Sequence, residues 1–204
     1  MKKRTLGAIA LLVLALGLTS CTKPTDAASF ASGHISVDRL QQSVSTILKE
    51  RIEFNTTPQD GLTGEALTRN QLEFHIFTAL LTQAAKERNI FALPSEVAAK
   101  KADILKNVGG EKQLSVAMVN AGIASIDLDQ YLSLIVLQDK LKKVVAPNAT
   151  DDNQVIQALQ KMIADTVVSQ KLQVNPRYGV WNVVASKVEP ADPTGGALKK
   201  SSSK

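Results

Sequence analysis

The chain reads as a mostly α single domain of about six helices, closed by a small pair of strands contributed by the two ends of the domain. Three observations predict this. Apolar residues recur at helical spacing from Ser36 to Leu172, and helix breakers such as Pro58, Gly61, Gly109-Gly110, Gly122 and Pro147 separate the runs. What remains outside those runs, residues 28–35 and 174–186, reads as extended at the two ends of the domain, with Gly33 and Gly179 as turn or bulge positions.

The first helix is expected from Ser36 as N-cap to about residue 55, with Leu40, Val44, Ile47, Leu48 and Ile52 on one stripe. A loop over residues 56–61 ends it. A long second helix, opened by Thr63 and Glu65 and reaching about residue 89, is apolar on more than one face, as expected of a central helix. Pro94-Ser95 starts a third, with Val97, Ile104, Leu105 and Val108, which stops at Gly109-Gly110. Leu114, Ala117 and Met118 mark a short fourth, closed by Gly122. Asp127 or Ser125 caps a fifth along Leu128, Leu132, Ile135, Leu137, Leu141 and Val144, which ends before Pro147. The sixth runs from Asp151 to about residue 172 through Val155, Leu159, Ile163 and Val167. Residues 187–204, with Pro190, Pro193, Gly195-Gly196 and Ser201-Ser202-Ser203, are too polar to fold and are expected as a disordered tail.

Ahead of the domain, Met1-Lys2-Lys3-Arg4 precedes an apolar run from Leu6 to Leu18. That run is shorter than the roughly 20 residues a spanning helix needs, so residues 1–20 read as an export signal that is removed. Its end, Leu18-Thr19-Ser20-Cys21, resembles the bacterial lipobox. The resemblance implies cleavage between Ser20 and Cys21, lipidation of Cys21, and a membrane-anchored lipoprotein on the extracytoplasmic face, periplasmic or at the cell surface. Several acyl chains at about 0.8 kcal/mol per buried methylene hold a protein stably, whereas one chain does not. Residues 21–27 form a short tether before the domain over 28–186. Cys21 is the sole cysteine, so no thiol remains for a disulfide, a nucleophile or a metal.

The 204-residue chain carries 24 basic and 19 acidic residues, a net charge of +5. Loss of Lys2, Lys3 and Arg4 with the signal leaves 21 against 19, and the body without the tail lysines is nearly neutral. No basic cluster argues for nucleic acid.

The order of the pieces is a short strand with Gly33-His34, a Ser-capped helix, a long helix ending Ala84-Ala85-Lys86-Glu87-Arg88-Asn89-Ile90, a Pro94-Ser95-x-Val97 start, then Gly109-Gly110-Glu111 and Ala121-Gly122-Ile123. This resembles the N-terminal chaperone domain of the SurA-like and PrsA-like foldase superfamily. The stretch Val174-Asn175-Pro176-Arg177-Tyr178-Gly179-Val180-Trp181 is similar to the C-terminal strand that returns to complete that domain. The resemblance implies binding of unfolded or nascent exported polypeptides. It does not imply peptidyl-prolyl isomerase activity, because relatives carry a parvulin domain where this chain has only residues 145–151.

No catalytic constellation is present in the sequence, and no cofactor is expected. His34 and His75 lack partners at metal-ligand spacing, so a structural role is expected for both and no metal site is proposed. Gly109-Gly110-Glu111-Lys112 lacks the ending and the preceding strand of a phosphate loop and reads as a helix break. Asp127 and Asp129, like Asp151 and Asp152, sit at helix starts, where the dipole favours them as caps. The sequons at Asn55 and Asn148 are attributed to chance. Tyr178 and Trp181 read as packing residues on a closing strand.

With eight aromatics in the chain, the apolar surplus is aliphatic and lies on two faces of helices two and five. Phe74, Phe77, Leu81, Met118 and Ile135, with Leu134 and Val136, are the candidates for a peptide-binding surface. The same pattern fits a helical interior or a homodimer contact. Two classes of function follow: a lipid-anchored chaperone without catalysis, or a structural or interaction lipoprotein that docks one specific partner or itself.

Overall fold

A computed structural model of the chain describes residues 23–58 and 62–191. The signal segment 1–20, the cleavage and lipidation positions Ser20 and Cys21, and residues 192–204 of the expected tail lie outside the described residues.

The chain enters through β1 (Asp26–Phe30), turns, and returns antiparallel as β2 (Gly33–Ser36). Ser36 then caps α1 (Val37–Glu53), its Oγ accepting from the Arg39 amide at 3.1 Å. After the loop come α2 (Gly64–Lys86) and α3 (Pro94–Val108). Proline at the first turn of α3 removes an amide that has no helical partner, and Gly109, at φ +93, turns the chain out at its end. Then follow α4 (Glu111–Asn120), a 3-10 turn over Ser125–Asp127, and α5 (Leu128–Val145). Asp151 caps α6 (Asp152–Ser169) by accepting from the Gln154 amide at 2.9 Å. Three short strands close the domain: β3 (Gln173–Val174), β4 (Val180–Asn182) and β5 (Lys187–Glu189).

Two sheets result, one ordered β2-β1-β3 and the other the hairpin β4-β5. Ala28 pairs with Val174 and Ser29 with Gln173, so the two ends of the domain join as expected. Helix α2 is central and packs on α1, α5 and α6. Its Leu72, Ile76, Leu80 and Ala84 are fully buried with Leu40 and Ile47 of α1 and Leu141 of α5. Each such leucine or isoleucine contributes about 1.5–3 kcal/mol by leaving water.

The structure departs from the sequence reading at several points. The buried stripe of α1 runs Leu40, Ser43, Val44, Ile47, Glu50, Arg51, and Ile52 is 83% exposed. At 100° per residue Ile52 lies about 140° round the helix from Ile47, and the core side at that level is taken by the polar pair instead. Val144, expected on the buried stripe of α5, is likewise exposed. The stretch 28–35 is a hairpin of two strands rather than one strand. Helix α6 stops at Ser169, and Lys171 adopts a left-handed φ of +51. Order also runs past residue 186. In β5, Val188 is buried opposite Trp181, and its amide lies 3.4 Å from Glu73 Oε2 of α2. A lone valine between Lys187 and Glu189 is too short a pattern to read as a strand.

Candidate functional site

An apolar cleft lies between α2, α5 and α6, under the β4-β5 turn. It is a cleft of about 190 Å3 lined by Phe77, Leu81, Ile156, Leu159 and Ile163, with Gln138, Gln160 and Ser186 as its polar members. Helix geometry builds it. Phe77 and Leu81 are one turn apart on α2, and Ile156, Leu159 and Ile163 occupy the i, i+3, i+7 positions of one face of α6. Leu81 and Ile163 are buried, Phe77 and Leu159 half-buried against the core, and Ile156 exposed at the mouth.

The five residues singled out from sequence are only partly brought together. Phe77 and Leu81 line the cleft. Phe74 is one turn before Phe77 on α2, half-buried, with its ring edge-on to His75 at 5.2 Å. Ile135 is half-buried on α5, one turn before Gln138. Met118 does not belong to this surface: it is buried on α4, beside a separate, more polar depression bordered by Thr46, Lys49, Glu50 and Ile126. Leu134 and Val136 are also buried, so these two candidates serve the interior together with Leu132, Leu137 and Leu141 of α5. Tyr178 is buried and Trp181 half-buried against the core, consistent with their packing role. Ile156, which the sequence reading passed over, carried a signal: 156, 159 and 163 repeat the spacing of 74, 77 and 81.

A second arrangement was not legible in the sequence. Asp127, wholly buried, accepts from Ser43 Oγ at 2.7 Å on Oδ2 and pairs with Arg39 through Oδ1. Ser43 Oγ also receives Arg39 Nη1 at 2.8 Å and lies 2.9 Å from His75 Nε2. Since the hydroxyl proton is directed at Asp127, His75 Nε2 must carry its own proton and donate to Ser43. Burial lowers the His75 pKa from 6.5 to about 4; Asp127 opposes the shift and Arg39 adds to it. The imidazole is therefore neutral at pH 7. A serine, a histidine and an aspartate together suggest acyl-transfer chemistry, but this order of bonds cannot perform it. The hydroxyl proton goes to the carboxylate, the imidazole donates rather than accepts, and all three side chains are shut from solvent. The network instead ties α1, α2 and the turn before α5 together. Asp127 holds the N-cap position of α5 without a side-chain bond to that helix, so its carboxylate is an inter-helix tie and not the cap expected of it.

His34 lies exposed in β2. Among the described residues no group of three or more histidine, cysteine, aspartate or glutamate side chains is placed to hold a metal ion, and no helix is long and apolar enough to cross a membrane. The fold defines a mostly helical domain with short antiparallel strands, carrying an apolar cleft. No family model, no curated protein and no solved structure matches the chain.

Proposed function

We propose that this chain is a lipoprotein tethered through Cys21 to the extracytoplasmic face of a membrane, where it holds unfolded exported polypeptides by their apolar side chains and performs no catalysis. The α2–α5–α6 cleft carries the reading. A cavity of about 150 Å3 lined by aliphatic and aromatic side chains accommodates benzene, so a cleft of about 190 Å3 is of the size to take one large apolar side chain from a client. Gln138, Gln160 and Ser186 offer amide and hydroxyl groups to the client backbone. Contacts of this kind are weak singly and indifferent to exact sequence, which suits a holder of many chains.

The likeness to the SurA-type chaperone domain belongs to the same proposal. Supporting it are the strand pairing between the two ends of the domain and the long central helix. The short connection from Val145 to Asp152, where isomerases of that superfamily carry a parvulin module, departs from the pattern and is the ground for the non-catalytic reading. The test is the aggregation of a denatured secreted protein on dilution, followed by light scattering. The chain is expected to slow it, and Ile156→Asp, which sets a charge at the exposed mouth of the cleft, to lose that effect. Equal aggregation with and without the chain would remove the reading. Saturable one-to-one binding of a single folded protein would replace it with a partner-docking lipoprotein.

A further inference from the structure

We infer that the end of the domain formed by the loop after α2 and the last turn of α5 is a lipid-facing surface that lies on the anionic bilayer to which the chain is tethered. This inference rests on the tether proposed above and assigns a role to residues outside the cleft.

Phe91 and Leu93, 54% and 52% exposed, project from the segment between α2 and α3 beside Val144 of α5, also 52% exposed. They share a shallow depression with Ile90, Lys140 and Lys143. The apolar groups are displayed by a fixed backbone. Lys140 Nζ donates to the Phe91 carbonyl at 2.8 Å and pairs with Glu96, while Glu96 Oε2 receives the Leu93 amide at 2.8 Å. Shape distinguishes this patch from the cleft. The cleft is a narrow recess that accepts one side chain, whereas here about half of each bulky side chain is open to solvent around a wide, shallow depression, as it is for residues that enter the boundary between headgroups and acyl chains.

Charge favours the same occupant. Lys140 and Lys143 line the depression, and Lys86, Arg88 and Lys142 lie within a few residues of it in sequence, against Glu87, Glu96 and Asp139. Asp139 is already engaged by Lys100 and Lys142, and Glu96 by Lys140. Lys143 is left as an exposed cation at the edge of the apolar group, where phosphate headgroups would meet it.

Topology brings the tether to this end. Helices α1 and α2 are antiparallel, since Ser43 meets His75 and Arg51 Nη1 meets the Leu62 carbonyl. The start of α1 therefore lies toward the finish of α2, and there the Val37 amide donates to the Thr25 carbonyl at 2.8 Å. Three residues separate Cys21 from Thr25, four Cα steps or about 14 Å at full extension. A lipid on Cys21 thus holds this end of the bundle near the bilayer, while Ile52 sits at the far end of α1, about 22 Å from Val37 along the helix.

The experiment uses the full lipidated chain in vesicles of phosphatidylcholine and phosphatidylglycerol with brominated acyl chains. Phe91→Trp is compared with Ile52→Trp, and the parent chain's Trp181 supplies the baseline. Quenching of the indole at position 91 is expected to be several-fold greater than at position 52. It is expected to fall when phosphatidylglycerol is omitted and in a Lys143→Glu background. Protease protection of the Phe91 segment on vesicles, lost in the doubly substituted Phe91→Asp, Leu93→Asp chain, reads the same contact without a new tryptophan. Equal quenching at both positions on vesicles that carry the chain overturns the inference and leaves the tether standing. A chain that does not float with the vesicles overturns both. Crosslinking of position 91 to an unfolded client in place of lipid assigns the patch to the client and overturns the inference as well.

Discussion

Ser43 donates its hydroxyl proton to Asp127 across 2.7 Å, joining α1 to a turn that lies 84 residues further along the chain. Arg39 and His75 complete the contact, so one buried carboxylate gathers three segments. Removing it takes the acceptor from a buried serine and the counter-charge from a half-buried arginine at once, and His75 is left bonded to a serine with no acceptor of its own. Asp127→Ala is therefore expected to cost about 3 kcal/mol of folding stability, measured by urea unfolding. A loss below about 1 kcal/mol would mean that water replaces the carboxylate without difficulty and that the network is peripheral to the fold.

The same network makes stability depend on acidity. His75 is held neutral, with its folded pKa near 4 against 6.5 in the unfolded chain. Between these values the unfolded state binds more protons, so stability falls as pH drops from about 6.5 toward 4 and levels off below, a change of order 3 kcal/mol. Glu73 acts oppositely. Burial raises its pKa, while the Val188 amide and Lys187 partly restore it, so the stability this carboxyl adds when protonated is lost as pH rises through its folded value. Unfolding of parent and His75→Gln across this range isolates the histidine. Parallel curves would show that the imidazole does not titrate as proposed.

At the cleft, Ile156→Asp is expected to change unfolding midpoints little, because the side chain is half exposed and near the start of α6, where the helix dipole tolerates an acid. Its effect belongs to client holding, which is expected to weaken several-fold. Leu81→Ala makes the contrast. That residue is both cleft floor and core, and its truncation is expected to cost about 2–5 kcal/mol. If Ile156→Asp destabilises as much as Leu81→Ala, the mouth of the cleft is core and not a binding surface.

Gly179 adopts φ +134 and passes so near β5 that a Cβ would run into the Glu189 carbonyl oxygen. Gly179→Ala is expected to part the β4-β5 hairpin and cost about 1–3 kcal/mol, read from thermal melts and from the near-ultraviolet signal of Trp181. An unchanged Trp181 signal would mean that the hairpin rearranges without leaving its seat on α2.

What could be read in advance follows from range. Ser36, Pro94, Gly109 and Asp151 act on their own helix ends, through bonds to neighbours three or four residues away or through φ alone, and their positions fix the helices to within a few residues. Asp127 looked like one more cap because its sequence surroundings are those of a cap, and only packing shows that its carboxylate turns inward. Half of the cleft was visible as the stripe on α2. The other half lies on α6, whose matching stripe reads as core until Ile156 is seen to be half exposed at the mouth of the cleft. Met118 shows the converse. A helical period says that one face is covered without saying by what, and α4 turns that face inward.

The pairing of Ala28 with Val174 makes the domain a closed ring of elements, with entrance and exit side by side. The central strand of its first sheet lacks one neighbour until nearly the whole polypeptide has been delivered. Synthesis runs amino-terminus first, so the domain lacks its clasp until Gln173 and Val174 have been added. Rejoining the ends and cutting instead at the connection between α5 and α6 would reverse that order of arrival while keeping the same set of contacts.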